Sequence, residues 1–239
     1  MELKFLGRGG AFLPEEGNTS AYFIRENKLF LFDCGETVFL ALKRNNRLKK
    51  LVEENNIKDI QVYITHRHSD HVGSLSSLIF YCYYILGIRP KVFYPDKFDV
   101  SSIQLNRIMQ IVGLNGNSLR EFHVMDVPDN DIDFIECKHT KNMKCCHYII
   151  RVNDKKIFYS GDCLEVNEEI APTLKYYDEV YLECSTQSYN THMTLDKIEE
   201  YISLNGEELR DKIYLMHIDS LDLVDQAKEH NLKVVEVEE

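Results

Sequence analysis

The sequence lacks the segments that would tie it to a membrane or to export. In its 239 residues no apolar run reaches the roughly 20 residues that cross a bilayer. The first six residues are typical of a strand and lack the basic-then-apolar pattern of a signal peptide. We therefore expect a cytoplasmic protein with no membrane partner.

The cysteines lack the spacing of a redox or zinc motif. The chain has 7 of them, an odd number, and no two are separated by two residues. Without an export signal, this usage favours free thiols in a reducing compartment over disulfides. The adjacent Cys145 and Cys146 are expected to pack as small apolar side chains rather than to bind metal.

Positive charge is also scarce. The chain carries 28 Lys and Arg against 39 Asp and Glu, for a net charge of −11. Proteins that hold long nucleic acids normally present a basic face to the phosphates. Here the basic residues cluster mainly within residues 43–50, where their spacing is typical of the solvated side of a helix. A long nucleic acid is therefore an unfavourable partner, whereas a small nucleotide is compatible with this charge.

No linker, low-complexity tract or solenoid repeat divides the chain, so we predict a single domain over residues 1–239. Apolar spacing predicts helices at residues 37–55, 74–86, 101–112, 195–203 and 221–230. Strands are predicted at residues 4–6, 21–24, 29–32, 61–64, 91–94, 122–127, 134–138, 147–152, 156–159, 179–182, 213–215 and 233–237. Strands in both halves with helices between them predict two sheets packed face to face, with helices outside.

What the sequence does contain is a dense group of potential metal ligands directly after the strand predicted at residues 61–64. His66, His68, Asp70 and His71 lie within six residues. Imidazole nitrogens and carboxylate oxygens are ligands that zinc and similar divalent ions prefer. The alternating His66 and His68 can face one ion, and Asp70 and His71 a second. A solvated polar turn is the other interpretation, and this density of ligand types disfavours it.

Further potential ligands follow other predicted strands, namely Asp33, His139, Asp162 and His217. A single strand-end histidine is more often a satisfied surface residue than a ligand. Because such residues recur after five strands, the pattern predicts one site at a common edge of the sheets.

These residues carry a family resemblance. In chain order, Asp33-Cys34-Gly35, the HxHxDH motif of residues 66–71, His139, Ser160-Gly161-Asp162 and His217 resemble the metallo-β-lactamase superfamily of metal-dependent hydrolases. The resemblance implies an α/β (α+β) fold, the four-layer αββα sandwich, with two divalent ions at one edge. Zinc is the first candidate for both ions and manganese is the alternative.

The resemblance also implies a role for each residue. The first ion would be held by His66, His68 and His139, and the second by Asp70, His71 and His217. Asp162 would bridge the two ions, and Asp33 would orient ligands from behind. Asp70 would also act in catalysis. His147 is the rival of His139, but related sequences often have a small residue at that position, so His139 is favoured.

Asp162 and a further pair of motifs indicate which branch of the superfamily the chain resembles. Asp162 argues against the true lactamases, whose pattern has cysteine there. The segments around Glu183 and His192 resemble paired motifs of the tRNA 3′-end-processing endonucleases (tRNase Z), where the histidine protonates the leaving oxygen and the glutamate orients it. General-acid catalysis of this kind typically contributes about 10²- to 10⁴-fold. The alternatives are an exposed His192 at a helix start and a Glu183 that solvates a strand end.

Three segments point to one group within that branch. LGRGGAF (6–12), EGNTSAY (16–22) and THRHSDHVGSLSSL (65–78) resemble the phage anti-Pycsar phosphodiesterases, which are tRNase Z-like proteins. The resemblance implies hydrolysis of the cyclic mononucleotides cCMP, cUMP, cAMP and cGMP, in counteraction of cyclic-nucleotide antiphage signalling. The chain departs from tRNase Z because ordinary elements account for residues 71–162, which leaves no arm to grip tRNA.

Rival functions remain open from the sequence. A tRNase Z-type endoribonuclease is the first alternative, a thiolester hydrolase is a weaker one, and a metal-bound protein that sequesters a nucleotide belongs to another class. The helix at residues 74–86 is apolar nearly all round and rich in tyrosine, which favours interfaces. We therefore expect a homodimer formed through this helix.

Overall fold

The computed structural model describes residues 2–94, 121–125, 128–141 and 143–238. Within these ranges the chain forms two sheets of six strands. The first sheet contains β1 (Lys4–Gly7), β2 (Ser20–Arg25), β3 (Lys28–Phe32), β4 (Asp59–Tyr63), β5 (Lys91–Phe93) and β6 (His123–Met125). The second contains β7 (Ile132–Cys137), β8 (Cys145–Val152), β9 (Lys155–Tyr159), β10 (Glu179–Glu183), β11 (Ile213–Met216) and β12 (Lys233–Val234).

Six α-helices are described within the same ranges: α1 (Val38–Lys43), α2 (Arg47–Glu54), α3 (Ser69–Val72), α4 (Leu75–Tyr84), α5 (Leu195–Asn205) and α6 (Asp222–Glu229). Short 3₁₀ turns lie at Pro14–Glu16, Arg44–Asn46, Ala171–Tyr176 and Glu207–Lys212. Among these helices none is long and apolar enough to cross a membrane.

Three separate apolar cores account for the layering. One lies between the sheets and is strongly aromatic, with the Phe32 ring centroid 5.4 Å from that of Tyr63 and 5.5 Å from that of Tyr159. A second core joins the first sheet to α1, α2 and α4, and a third joins the second sheet to α5 and α6. Three cores between four layers confirm the predicted αββα sandwich.

The strand directions bring many strand ends to one edge. The first three strands are antiparallel, but β3, β4, β5 and β6 run parallel to one another. In the second sheet β9, β10, β11 and β12 are likewise parallel. Side chains that follow parallel strands meet at the carboxyl edge of a sheet, where α/β folds bind ligands.

The single helix predicted at residues 37–55 is wrong. The chain breaks at Asn45 and Asn46, which have left-handed φ angles of 53° and 57°, so α1 and α2 are separate helices. Asparagine adopts this conformation more readily than most residues. The apolar spacing on either side indicated helix correctly, but it carries no information about the turn between the two segments.

Other boundaries differ by a few residues. The helix predicted at residues 74–86 is α4, which ends at Tyr84 shortly before Gly87, where φ is 66°. The strand predicted at 233–237 is limited to β12, and the strand at 122–127 is described only as β6. The helix predicted at residues 101–112 lies outside the described residues.

Candidate metal centre

The predicted ligands converge where the two sheets meet. His66 to His71 follow β4 and run into the short helix α3, Asp162 follows β9, and His217 follows β11. Their ligand atoms form two groups, in each of which all the atoms lie within 4.8 Å of one another. Long-range pairing of strands therefore unites residues that are up to 151 positions apart in sequence.

The first group contains three histidines and one carboxylate. His66 Nε2 lies 2.9 Å from His68 Nδ1, and His139 Nε2 lies 3.2 Å from the same atom. Asp162 Oδ2 completes the group at 3.7 Å from His66 Nε2 and 3.8 Å from His139 Nε2. This is the combination of side chains that the resemblance implies for the first ion.

The second group contains two histidines and two carboxylates. His217 Nε2 lies 3.2 Å from Asp70 Oδ2 and 3.2 Å from Asp162 Oδ2. His71 Nε2 lies 3.4 Å from Asp70 Oδ2 and 3.3 Å from Asp162 Oδ1. Asp162 is therefore common to both groups, which is the position that the resemblance implies for a bridging residue.

Both groups fit a divalent ion. Among the described residues, His71 Nε2 and Asp162 Oδ1 are buried without a hydrogen-bond partner, which is costly unless another species satisfies them. Zinc–nitrogen and zinc–oxygen bonds of about 2.0–2.1 Å in a tetrahedral shell give ligand–ligand edges of about 3.3 Å. The separations within both groups lie close to that edge.

Asp33 lies behind the ligands, next to His71 and Thr65. It is fully buried, and its Oδ2 accepts a hydrogen bond of 2.8 Å from His71 Nδ1–H, which leaves Nε2 for an ion. The same carboxylate accepts bonds from the backbone N–H and the hydroxyl of Thr65, at 2.7 and 2.8 Å. The Thr65 hydroxyl lies 3.1 Å from His66 Nδ1 and so extends this support to the first group.

The backbone around the centre is unusual. Asp33 and His217 have φ angles of 60° and 55°, in the left-handed region that non-glycine residues seldom occupy. Gly161, just before Asp162, has φ of 56°, and a Cβ there would lie 2.8 Å from Thr65 Cγ2. Such conformations persist where the surrounding structure fixes them, and they cluster at functional sites.

The protonation states of several ligands suit metal binding, which requires neutral imidazole and ionised carboxyl groups. Burial lowers the pKa of His66 well below its usual value, and burial lowers that of His139 to about 4. Burial raises the pKa of Asp70, but the neighbouring imidazoles of His217 and His71 outweigh burial and hold this pKa below its usual value.

Glu183 and His192 form a pair beside the ligands. Glu183 is fully buried and accepts hydrogen bonds from His192 Nδ1–H, at 3.0 and 3.1 Å, and from the Cys163 backbone N–H at 2.7 Å. The alternative of a solvated strand end is therefore wrong for Glu183. The His192 ring is stacked on His217, with 5.5 Å between centroids. Burial lowers the pKa of His192, but the bond to Glu183 outweighs burial and raises it to about 9.

His147 lies away from both groups. It is fully buried within β8, where its Nδ1–H donates to the Ser160 carbonyl at 2.6 Å and its Nε2 accepts from the Asn167 N–H at 3.1 Å. Both nitrogens are therefore occupied. His139, by contrast, donates from Nδ1–H to the Thr191 carbonyl at 2.9 Å and directs Nε2 into the first group.

A cavity of about 800 Å³ opens above the ligands. It is lined by Gly10, Ala11, Phe12, Glu36, His68, Ser69, Asp70, His139, Thr140, Asp162, Ser185, Tyr189, Thr191, His192, His217 and Asp219. Sequence reasoning missed the supporting residues Thr65, Thr191 and Asp219. Thr65 adjoins the histidine motif, but Thr191 and Asp219 act through a carbonyl and through loop contacts that no local pattern reveals.

Comparison with known proteins agrees with this geometry. The model of the family described as "Anti-Pycsar protein Apyc1" matches residues 1–239. An anti-Pycsar protein from Saccharibacillus brassicae is 30% identical over 235 residues, covering 91% of this chain and 89% of the relative.

Two solved structures share the fold. The metallo-β-lactamase fold protein YhfI from Bacillus subtilis has a TM-score of 0.73 at 14% identity, covering 98% of this chain and 95% of its own. The short form of human tRNase Z has a TM-score of 0.67 at 18% identity, covering 99% and 97%. With the family model spanning the whole sequence, the chain belongs to the anti-Pycsar protein Apyc1 family.

Proposed function

We propose that the protein is a metal-dependent phosphodiesterase that hydrolyses 3′,5′-cyclic mononucleotides to nucleoside monophosphates and thereby counteracts cyclic-nucleotide antiphage signalling. The observation that carries the proposal is the Glu183–His192 pair beside the two ligand groups. A phosphodiester releases an alkoxide, which needs a proton, and His192 is positioned to supply one.

In the proposed reaction each group of residues has a separate role. His66, His68 and His139 with Asp162 would hold one divalent ion, and Asp70, His71 and His217 with Asp162 a second. Such ions, zinc or manganese, supply a hydroxide nucleophile near neutral pH and offset the charge on the phosphate oxygens. Glu183 holds the His192 ring by Nδ1, so that the Nε2–H is available to the substrate.

The proposed reaction is hydrolysis of the cyclic phosphodiester. Hydroxide forms a bond to phosphorus while the bond from phosphorus to the ribose 3′-oxygen breaks. His192 transfers its proton to that oxygen, and the product is the nucleoside 5′-monophosphate. Asp70 would act in catalysis as well as in binding, through the ion that it would hold together with His71 and His217.

The cavity supports a small substrate. Its volume of about 800 Å³ lies within the range of small-molecule sites. Among the described residues that line it, none is Lys or Arg, and the chain has a net charge of −11. Long nucleic acids are held by basic side chains along many phosphates, whereas a single phosphate requires only the two ions and His192.

The first experiment measures turnover. Purified protein is incubated with zinc or manganese and with cCMP, cUMP, cAMP, cGMP and a precursor tRNA, and the products are separated by chromatography. We expect all four cyclic nucleotides to yield 5′-monophosphates. Intact cyclic nucleotides together with cleaved tRNA would instead identify an endoribonuclease. Tight nucleotide binding without turnover would identify a sequestering protein.

The second experiment tests the role of His192. His192→Ala is expected to lower kcat on cAMP by about 10²- to 10⁴-fold, because the proton donor is lost. Bound metal should stay unchanged. A p-nitrophenyl phosphodiester has a leaving group that needs little protonation, so its hydrolysis should fall much less. Equal losses on both substrates would contradict the general-acid role.

We also propose a homodimer through α4. Tyr84, the last residue of this apolar helix, and the following Ile85 are exposed, and Leu40 is exposed on α1, which contacts α4. Light scattering at micromolar concentration is expected to give twice the chain mass of 28.0 kDa. Ile85→Glu should shift the protein towards the monomer. A monomeric mass for the unaltered protein would refute the dimer.

A further inference from the structure

Two aromatic side chains at the cavity mouth face solvent. Phe12 is 98% exposed and Tyr189 is 68% exposed, and both line the cavity above the metal centre. Single exposed apolar residues are common on protein surfaces. Here two rings reach the mouth of one cavity from loops 177 positions apart in sequence, and neither is used by the chemistry described above.

The loop that carries Phe12 is held against the metal centre. Backbone bonds from Gly9 N–H to Gly17 O, at 2.7 Å, and from Gly10 N–H to Ile218 O, at 2.9 Å, fix its base. A Cβ on Gly10 would lie only 3.1 Å from His217 Cε1, so glycine allows this close approach. Phe12 therefore stands two residues from a chain segment that contacts a ligand.

The loop that carries Tyr189 is held by Asp219, which directly follows Ile218 in the chain. Asp219 accepts hydrogen bonds from the Ser185 hydroxyl, at 2.7 Å, and from the Thr186 backbone N–H, at 2.9 Å. Tyr189 itself has a φ of 46°, which is unfavourable for a bulky residue. The loop thus holds an aromatic ring at the mouth in a backbone conformation that its side chain does not favour.

Within the described residues, the cavity lining lacks side chains that would bind one base by paired hydrogen bonds. Among the side chains that read base edges, Asn, Gln and Arg make paired hydrogen bonds to a single base. None of these three residue types lines the cavity within the described part of the chain. Stacking on aromatic rings, by contrast, tolerates every base, because each base has a π face.

We propose that Phe12 and Tyr189 form an aromatic rim that stacks on the nucleobase while the phosphate lies on the metal centre. This inference rests on the proposed function and extends it, since it names the residues that bind the base. It accounts for hydrolysis of all four cyclic mononucleotides by one cavity. The rim contributes to binding and takes no part in bond breaking.

The test compares substrates with and without a base. Kinetics of the metal-loaded protein are measured on cAMP and on ribose 3′,5′-cyclic phosphate for Phe12→Ala and Tyr189→Ala. Base–aromatic stacking predicts that KM for cAMP rises roughly 5- to 150-fold in each variant while kcat is retained. KM for the base-free substrate should stay unchanged. Phe12→Tyr, which keeps a ring, should restore most of the affinity for cAMP.

Tyr176→Ala is the matched control. Tyr176 is 69% exposed but does not line the cavity, so its removal should leave both KM values as in the unaltered protein. Equal KM changes on both substrates, or no change on cAMP, would overturn the rim while leaving the phosphodiesterase proposal intact. An unaltered protein that hydrolyses neither substrate would instead overturn the proposed function.

Discussion

The floor of the cavity, which consists of the metal ligands, and its rim, which consists of Phe12 and Tyr189, are built in different ways. On the floor, His66, His71 and Asp162 are buried, and Asp33 is hydrogen-bonded to His71 directly and lies next to His66 through the Thr65 hydroxyl. At the rim, exposed rings stand on loops that are held by backbone hydrogen bonds and by side chains such as Asp219. The difference indicates that packing and hydrogen bonds fix the positions of the ligand side chains, whereas the base recognition that we propose would depend on exposed apolar surface that tolerates different bases.

The largest effect on the floor is expected from a substitution of Asp162. Asp162→Asn removes the charge shared by both ligand groups, so we expect metal content to fall and kcat on cAMP to drop by about 10³-fold or more. Metal analysis and steady-state kinetics measure both effects. Asp225→Asn, at a position 82% exposed on α6, is the control and should change neither. Full activity of Asp162→Asn would contradict the bridging role of this residue.

A smaller effect is expected from a substitution of Asp33, which lies behind the metal ligands. Asp33→Asn keeps the shape of the side chain and tolerates the left-handed backbone, but it weakens the bond that orients His71. Residues that orient metal ligands typically change metal affinity by about 10- to 100-fold. Competition with a chelator should therefore show weaker binding of one ion than of the other. Unchanged binding of both ions would contradict the supporting role of Asp33.

The smallest effect on turnover at neutral pH is expected at His147, which lies outside both the floor and the rim. Burial lowers its pKa from 6.5 to about 4. Between these values the unfolded chain binds the proton and the folded chain does not, so stability falls as pH falls. Linkage gives a loss of about 2 kcal/mol between pH 7 and pH 5 from this residue.

Denaturant unfolding of the chelated protein at the two pH values measures this loss. His147→Gln should lack this component, so its stability should change less between pH 7 and pH 5 than that of the unaltered protein. Its metal content at neutral pH should remain that of the unaltered protein. An unchanged pH dependence, or a loss of bound metal, would show that His147 is not a buried neutral residue outside the metal centre.

The sequence predicted the metal ligands far better than the residues that hold these ligands in place. Ligand side chains recur at strand ends in a pattern that is typical of a metal site, and the sandwich brings them together as predicted. Whether His139 or His147 belongs to the site depends on which nitrogens the fold already occupies, and only the structure supplies those contacts. The break at Asn45 and the function of single exposed rings such as Phe12 have no periodic signal, so neither could be predicted.

In the proposed function, two ions on this floor act together in phosphodiester hydrolysis. Native mass spectrometry can count the ions bound to each chain while zinc or manganese is titrated into the chelated protein, with cAMP hydrolysis measured at every step. We expect activity to follow the species with two ions per chain. Activity that is complete at one ion per chain, or that persists in the metal-free protein, would contradict the claim.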